Sequence, residues 1–211
     1  MGRYPLTAWK ERFHPYATQA VAVRQHIHQR PELGFQEHET AALVANKLRD
    51  WGYAVTEGVG STGVVGVLKV GDSNRTLGIR ADMDALPIHE TTGLPYGSVH
   101  EGVMHACGHD GHTAMLLGAA HYLAETRKFS GTLNVIFQPA EEGLAGARRM
   151  MDDGLFTRFP CDAVFGMHNI PGLPQGKLVF APGPLLASND RLTITVRGKS
   201  AHGAEPQNGA D

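Results

Sequence analysis

The most constraining stretch of the chain is a nearly continuous apolar run, Leu133 to Phe137, that breaks abruptly at Gln138-Pro139 and is followed by Ala140-Glu141-Glu142-Gly143. A run this short and this apolar suits a strand covered on both faces, as in a mixed or parallel sheet. Such a sheet needs helices to cover it, and the flanking sequence offers them. Residues 15–30 carry few helix breakers and predict a helix ending before Pro31. Val44, Leu48 and Trp51 recur at helical spacing within Glu37–Trp51, and Gly52 supplies the stop. Gly111–Thr126 carries the stripe Leu116, Ala120, Leu123, and Gly143–Asp153 reads as a further helix. β-type runs fall at Tyr53–Thr56, Gly63–Val70 and Thr76–Arg80, with a short buried strand expected at Ala163–Gly166. Gly71-Asp72-Ser73-Asn74 between the second and third runs gives a hairpin-like signal. Strands alternating with helices in this order predict a three-layer α/β domain: a mixed sheet with helices on both faces.

The pattern changes after Pro182. Leu192, Ile194 and Val196 alternate with Thr193, Thr195 and Arg197, which predicts a half-buried antiparallel strand. One strand cannot bury its own apolar face. Residues 185–211 therefore read as the incomplete beginning of a second domain, after a first domain over 1–184.

Composition narrows the function. Nineteen Lys+Arg against 21 Asp+Glu leave a net charge of −2, which gives no footprint for nucleic acid or for an acidic membrane surface. No apolar run approaches the ~20 residues that span a bilayer, and the N-terminus has no apolar core of signal-peptide length, so the expected compartment is the cytoplasm. Gly2 suggests myristoylation, but Leu6 stands where Ser or Thr is required. The 12 His are well above an ordinary share, and His100, His105, His109, His112 and His121 fall close together. Cys107 sits inside that cluster. With only one other cysteine, Cys161, the placement favours metal binding or catalysis over a disulfide framework.

The residues with chemical potential fall at strand ends. In Met104-His105-Ala106-Cys107-Gly108-His109-Asp110-Gly111-His112, Cys107 and His109 offer thiolate and imidazole, the preferred ligands of zinc-like ions, just before a helix. The alternative is a His-rich surface loop with a buried cysteine. Glu141 and Glu142 follow the apolar strand, at the end where α/β sheets place ligands. On an extended backbone one would face a metal and the other a water or substrate; equally, both suit the first turn of a helix. His168 follows the short run ending at Gly166, and Asp82 and Asp84 follow the run ending at Arg80. Asp84 suits either a support that orients a ligating imidazole or a turn before Pro87. Repetition of metal-ligand chemistry at successive strand ends favours a metalloenzyme.

Taken together, His28–Gly34, Arg80–Pro87, Met104–His112, Phe137–Gly143, Gly166–Asn169 and Gly198–Pro206 resemble, in order, the amidohydrolase branch of the M20 metallopeptidase family. That branch includes hippurate hydrolases, N-acyl-amino-acid amidohydrolases and auxin-conjugate hydrolases. The resemblance implies a zinc-exopeptidase-like catalytic domain followed by an α+β lid or dimerisation domain. It implies that Cys107, His109, Glu142 and His168 bind metal, that Glu141 is the general acid/base, and that His202 helps hold the substrate. Asp84 would then orient a ligand. Two divalent ions per complete site are implied, drawn from zinc, manganese, cobalt or nickel, as are an N-acyl amino acid substrate and homo-oligomers formed through the lid. A cysteine at position 107 sets this branch apart from the peptidases, which carry a carboxylate there. Family members continue past the position of Asp211, complete the lid and return with a further histidine ligand. The resemblance therefore implies that the 211-residue polypeptide is by itself inactive or nearly so and only partly stable, so an inactive remnant is the alternative reading, and a peptidase a weaker one.

Overall fold

A computed structural model describes residues 6–187, 190 and 192–210, with side chains from Glu11 onward. Met1–Pro5, on which the N-terminal targeting reading rests, lie outside the described residues, as does Arg191 at the start of the expected late strand.

Five strands form one mixed sheet. They are β1 (Ala54–Val59), β2 (Gly63–Val70), β3 (Thr76–Asp82), β4 (Gly131–Gln138) and β5 (Ala163–Gly166), in the order β1-β2-β4-β3-β5. β4 lies at the centre, antiparallel to β2 and parallel to β3, which explains its apolar run. Its side chains alternate between two cores. Leu133, Val135 and Phe137 pack with Val44, Leu48, Leu116, Leu117 and Ala120, from helices α2 (His38–Asp50) and α3 (His109–Thr126). Ile136 packs on the other face with Val65, Met150, Leu155 and Phe159, from α4 (Gly146–Asp152) and the short α5 (Leu155–Arg158) onward. The remaining helix, α1 (Leu6–Gln29), lies against α3. The three-layer α/β architecture is thus as the sequence predicts.

Local differences have physical reasons. The turn at 71–74 does not close a hairpin, because β4 is inserted between β2 and β3 and pairs with both. A turn's composition marks a reversal of the chain but not which strand fills the space. α1 begins well before residue 15, with Pro15 inside it, so a proline that reads as a start sits within a longer helix. α4 begins at Gly146 rather than Gly143 because Ala140 and Ala145 both adopt left-handed backbone, at φ 51° and 57°. β5 is an exposed edge strand rather than a buried one, with Phe165 at 63% exposure.

The parallel pairing of β3, β4 and β5 has one consequence for chemistry. Asp82 is opposite Gln138, and Arg80 is opposite Gly166. The segments that leave these three strands, beginning at 83, 139 and 167, therefore emerge at one edge of the sheet. α3 starts at that same edge, because it carries the crossover from β3 to the parallel β4.

The chain's contacts divide after Asn169 into Met1–Asn169 and Ile170–Asp211. Within the second unit, Lys199 and Ala210 exchange backbone hydrogen bonds of 2.8 and 3.1 Å, and Pro206–Asn208 forms a turn of 3₁₀ helix. Leu192, Ile194 and Val196 are at least 76% exposed and, among the described residues, belong to no ladder. The expected half-buried strand is not formed, since no described strand lies beside it to take its hydrogen bonds.

Candidate metal centre

His109, the first residue of α3, is the hub of the site. It is fully buried, and its Nδ1 is 3.2 Å from Asp84 Oδ1. A carboxylate can only accept, so Nδ1 carries a proton and Nε2 is the nitrogen turned to the site. That Nε2 is buried without a hydrogen-bond partner among the described residues. It lies 3.8 Å from Glu142 Oε1, itself buried and unpartnered, and 3.9 Å from Glu141 Oε2. His168 repeats the arrangement: its Nδ1 donates to the Asn169 carbonyl at 2.6 Å, which leaves Nε2 facing Cys107 Sγ at 3.4 Å. The ligating atoms of Cys107, His109 and His168 all lie within 4.8 Å of one another, as do those of His109, Glu141 and Glu142.

Asp84 ties two of these groups together. Its second oxygen accepts the Glu142 backbone N–H at 2.9 Å, so one buried carboxylate orients the His109 ring and anchors the acidic turn. Burial alone would raise its pKa, but the His109 hydrogen bond and the amides of Glu142 and Glu141 outweigh that and lower it. Glu141 and Glu142 lie in a turn, neither on extended backbone nor in the first turn of α4. The Glu141 side chain is 41% exposed and the Glu142 side chain 24%. Glu141 is thus open to solvent, while Glu142 faces inward.

The donors of this cluster are of the kind that suits a cation. Burial, then the Glu142, Glu141 and Asp82 carboxylates, push the Cys107 thiol up to about 12. Donors that repel one another in this way are the ordinary environment of a divalent ion, which deprotonates a coordinating thiol outright. Lone pairs on His109 and His168, a thiol and an unpartnered inward carboxylate fit such an ion in number and chemistry.

Residues 78–208 match the pattern of peptidase family M20/M25/M40. The chain belongs to this family. Hippurate hydrolase of Campylobacter jejuni is 55% identical over 189 residues, covering 90% of this chain and 49% of that protein. N-acetyl-L-cysteine deacetylase of Bacillus subtilis is 44% identical over 194 residues, covering 92% of this chain and 46% of that protein. Among solved structures, the Bacillus subtilis YxeP protein, described as a dinuclear metal-binding peptidase of the M20 family, superposes with a TM-score of 0.72 at 42% identity, over 76% of this chain and 45% of its own. The chain spans about half the length of the relatives it matches.

Other residues of this M20 site carry weight that spacing did not reveal. His112 receives the Asn169 N–H on Nε2 at 3.0 Å and is 2.6 Å from Asp82 through Nδ1. With both nitrogens occupied, His112 braces the His168 loop and has no lone pair left for a metal. Asp82 also lies 2.7 Å from Arg80, off the alignment of a hydrogen bond. Burial opposes its ionisation, but His112, Arg80 and His109 bring Asp82 down to about 2. Gly108 allows the approach of Asn169. Its φ is +88°, and an added Cβ would meet Asn169 Oδ1 at 2.6 Å. The sequence signal for these supports is faint, since each acts through a neighbour distant in the chain. His202 lies in the second unit, exposed, with Nδ1 accepting the Ala204 N–H at 3.2 Å.

Proposed function

We propose that this chain carries the metal-binding part of a metal-dependent amidohydrolase that cleaves N-acyl amino acids of the hippurate or N-acetyl type. Cys107, His109, Glu142 and His168 are its ligands and Glu141 its general acid/base. The observation that carries the reading is the convergence of the unpartnered His109 Nε2 and Glu142 Oε1 with the Cys107–His168 pair at the sheet edge. The kinship with an M20 hippurate hydrolase supports the substrate class.

Zinc, manganese, cobalt or nickel ions held there would polarise the scissile carbonyl and lower the pKa of a water towards ~7. Glu141, the more exposed carboxylate, would take the proton of that water and return it to the leaving amine, a transfer that typically contributes ~10²–10⁴-fold. Asp84 holds His109 in the tautomer that offers Nε2 and keeps Glu142 turned inward. Residues 185–211 are proposed to begin a lid or dimerisation domain in which His202 helps hold the substrate, with assembly into homo-oligomers.

The test joins this chain to the second half of the Campylobacter jejuni relative and supplies Mn²⁺, Zn²⁺ or Co²⁺. The hybrid should hydrolyse hippurate or N-acetyl amino acids. Glu141→Gln should keep the metal and lose most turnover, whereas Glu142→Gln should lose metal as well. Full turnover by Glu141→Gln, with chemistry rate-limiting, would remove Glu141 from its role.

A further inference from the structure

Glu37 is a carboxylate whose position and use do not match. It stands at the residue before α2, where an acidic side chain ordinarily caps the helix it precedes. Here it makes no cap bond. The amides of Glu39 and Thr40 are taken instead by the two oxygens of Glu32, each at 2.9 Å. Freed from capping, Glu37 turns inward and is completely buried. One oxygen accepts the Ala140 N–H at 2.8 Å and the other the Thr62 hydroxyl at 2.5 Å.

Ala140 is where the chain leaves β4 for the acidic turn. Its φ of 51° is a left-handed conformation that a residue with a Cβ adopts only when its surroundings impose it. Two features of the 31–37 segment lie against it. Glu37 holds the amide, and Gly34 lies so close that a Cβ there would meet Ala140 Cα and Cβ at 3.0 Å. The same segment reaches the other side of the site, where the Glu32 carbonyl accepts the Ala85 N–H at 2.8 Å, next to Asp84. Burying a carboxylate is costly unless it is fully hydrogen-bonded, and burial does raise the Glu37 pKa, against the pull of Thr62 and the Ala140 amide. No ion pair compensates it among the described residues.

We propose that Glu37 is a positioning residue for the hydrolytic site: its buried carboxylate holds the Ala140 amide and so fixes the turn from which Glu141 and Glu142 project. The proposal rests on the reading of Glu142 as a ligand and Glu141 as the base. Glu37 acts through reach and hydrogen bonding, so its charge is secondary.

The experiment compares the 211-residue chain with Glu37→Asp, which keeps the charge but is one methylene too short, and Glu37→Gln, which loses the charge but keeps an oxygen for Ala140. Mn²⁺ affinity is read by calorimetry and the Ala140 amide by hydrogen exchange. Glu37→Asp should weaken Mn²⁺ binding about 10- to 100-fold, the usual cost of losing a support behind a ligand, and Glu37→Gln should stay close to the original. In the unsubstituted chain the Ala140 amide should exchange as slowly as those of β4. Equal affinity in Glu37→Asp and the original chain overturns the proposal, and so does equal weakening in both variants. An Ala140 amide that exchanges like an open loop overturns it without any variant having to fold. If the unsubstituted chain takes up no Mn²⁺, the metal reading itself falls, and the Ala140 exchange rate alone decides the place of Glu37.

Discussion

Asp84 illustrates how much of the site hangs on single side chains set behind the candidate ligands. It holds the His109 ring on one oxygen and the Glu142 amide on the other. Asp84→Asn would turn one of these acceptors into a donor, and metal affinity should drop about 10- to 100-fold by calorimetry. Cys107→Ser should weaken binding strongly as well, because a hydroxyl is a poor substitute for a thiolate. Cys107, His109, Glu141, Glu142 and His168 stood out as candidates in the sequence because few residue types offer donors of this kind. His112 and Glu37 were not, since their roles depend on partners at Asn169 and Ala140 that only folding supplies. His105 is a further buried residue with a pH signature. Both ring nitrogens lack partners among the described residues, and burial brings its pKa down to about 4 from 6.5. The unfolded chain thus binds this proton more readily than the folded one. Stability is fully present above about 6.5 and is lost progressively as the pH falls through about 4. In chelator, Tm should decline over that window, and His105→Leu should flatten the decline.

At the scale of elements, β4 and the start of α3 decide the geometry. β4 was legible because a strand covered on both faces is apolar along most of its length, its buried Asn134 donating to the Pro160 carbonyl, and Phe137 is fully buried near its end. Phe137→Ala should cost about 3–5 kcal/mol in denaturant unfolding, as large core truncations do. The neighbours of β4 were less legible. The turn at 71–74 looks the same in sequence whether or not another strand enters between its arms, and that entry is decided by the crossover through α3 some 50 residues later. Gly108 makes the start of α3 possible. Gly108→Ala would impose a Cβ on a left-handed residue, about 1–2 kcal/mol, and push Asn169 from its seat beside His168. The variant should melt earlier and bind metal more weakly, as followed by calorimetry at both steps.

For the whole molecule, the fold class and its M20 kinship were legible because several short motifs follow one another in one order, three of them at the ends of β3, β4 and β5 of the same sheet. The burial of the late elements was not. β5 and the 192–196 stretch carry the apolar residues of covered strands, yet Phe165, Leu192, Ile194 and Val196 are all exposed. Sequence records that a face is apolar but not what covers it. Exposed apolar surface on this scale promotes association, so the chain on its own should show concentration-dependent self-association in light scattering. Cys107, His109, Glu142 and His168 are proposed to hold a divalent ion beside Glu141, and a cobalt titration followed by absorption reads out that ion and its sulfur ligand together. Uptake should saturate and bring a sulfur-to-cobalt charge-transfer band that disappears in Cys107→Ser. No saturable uptake, or a band of equal strength in Cys107→Ser, would contradict that proposal.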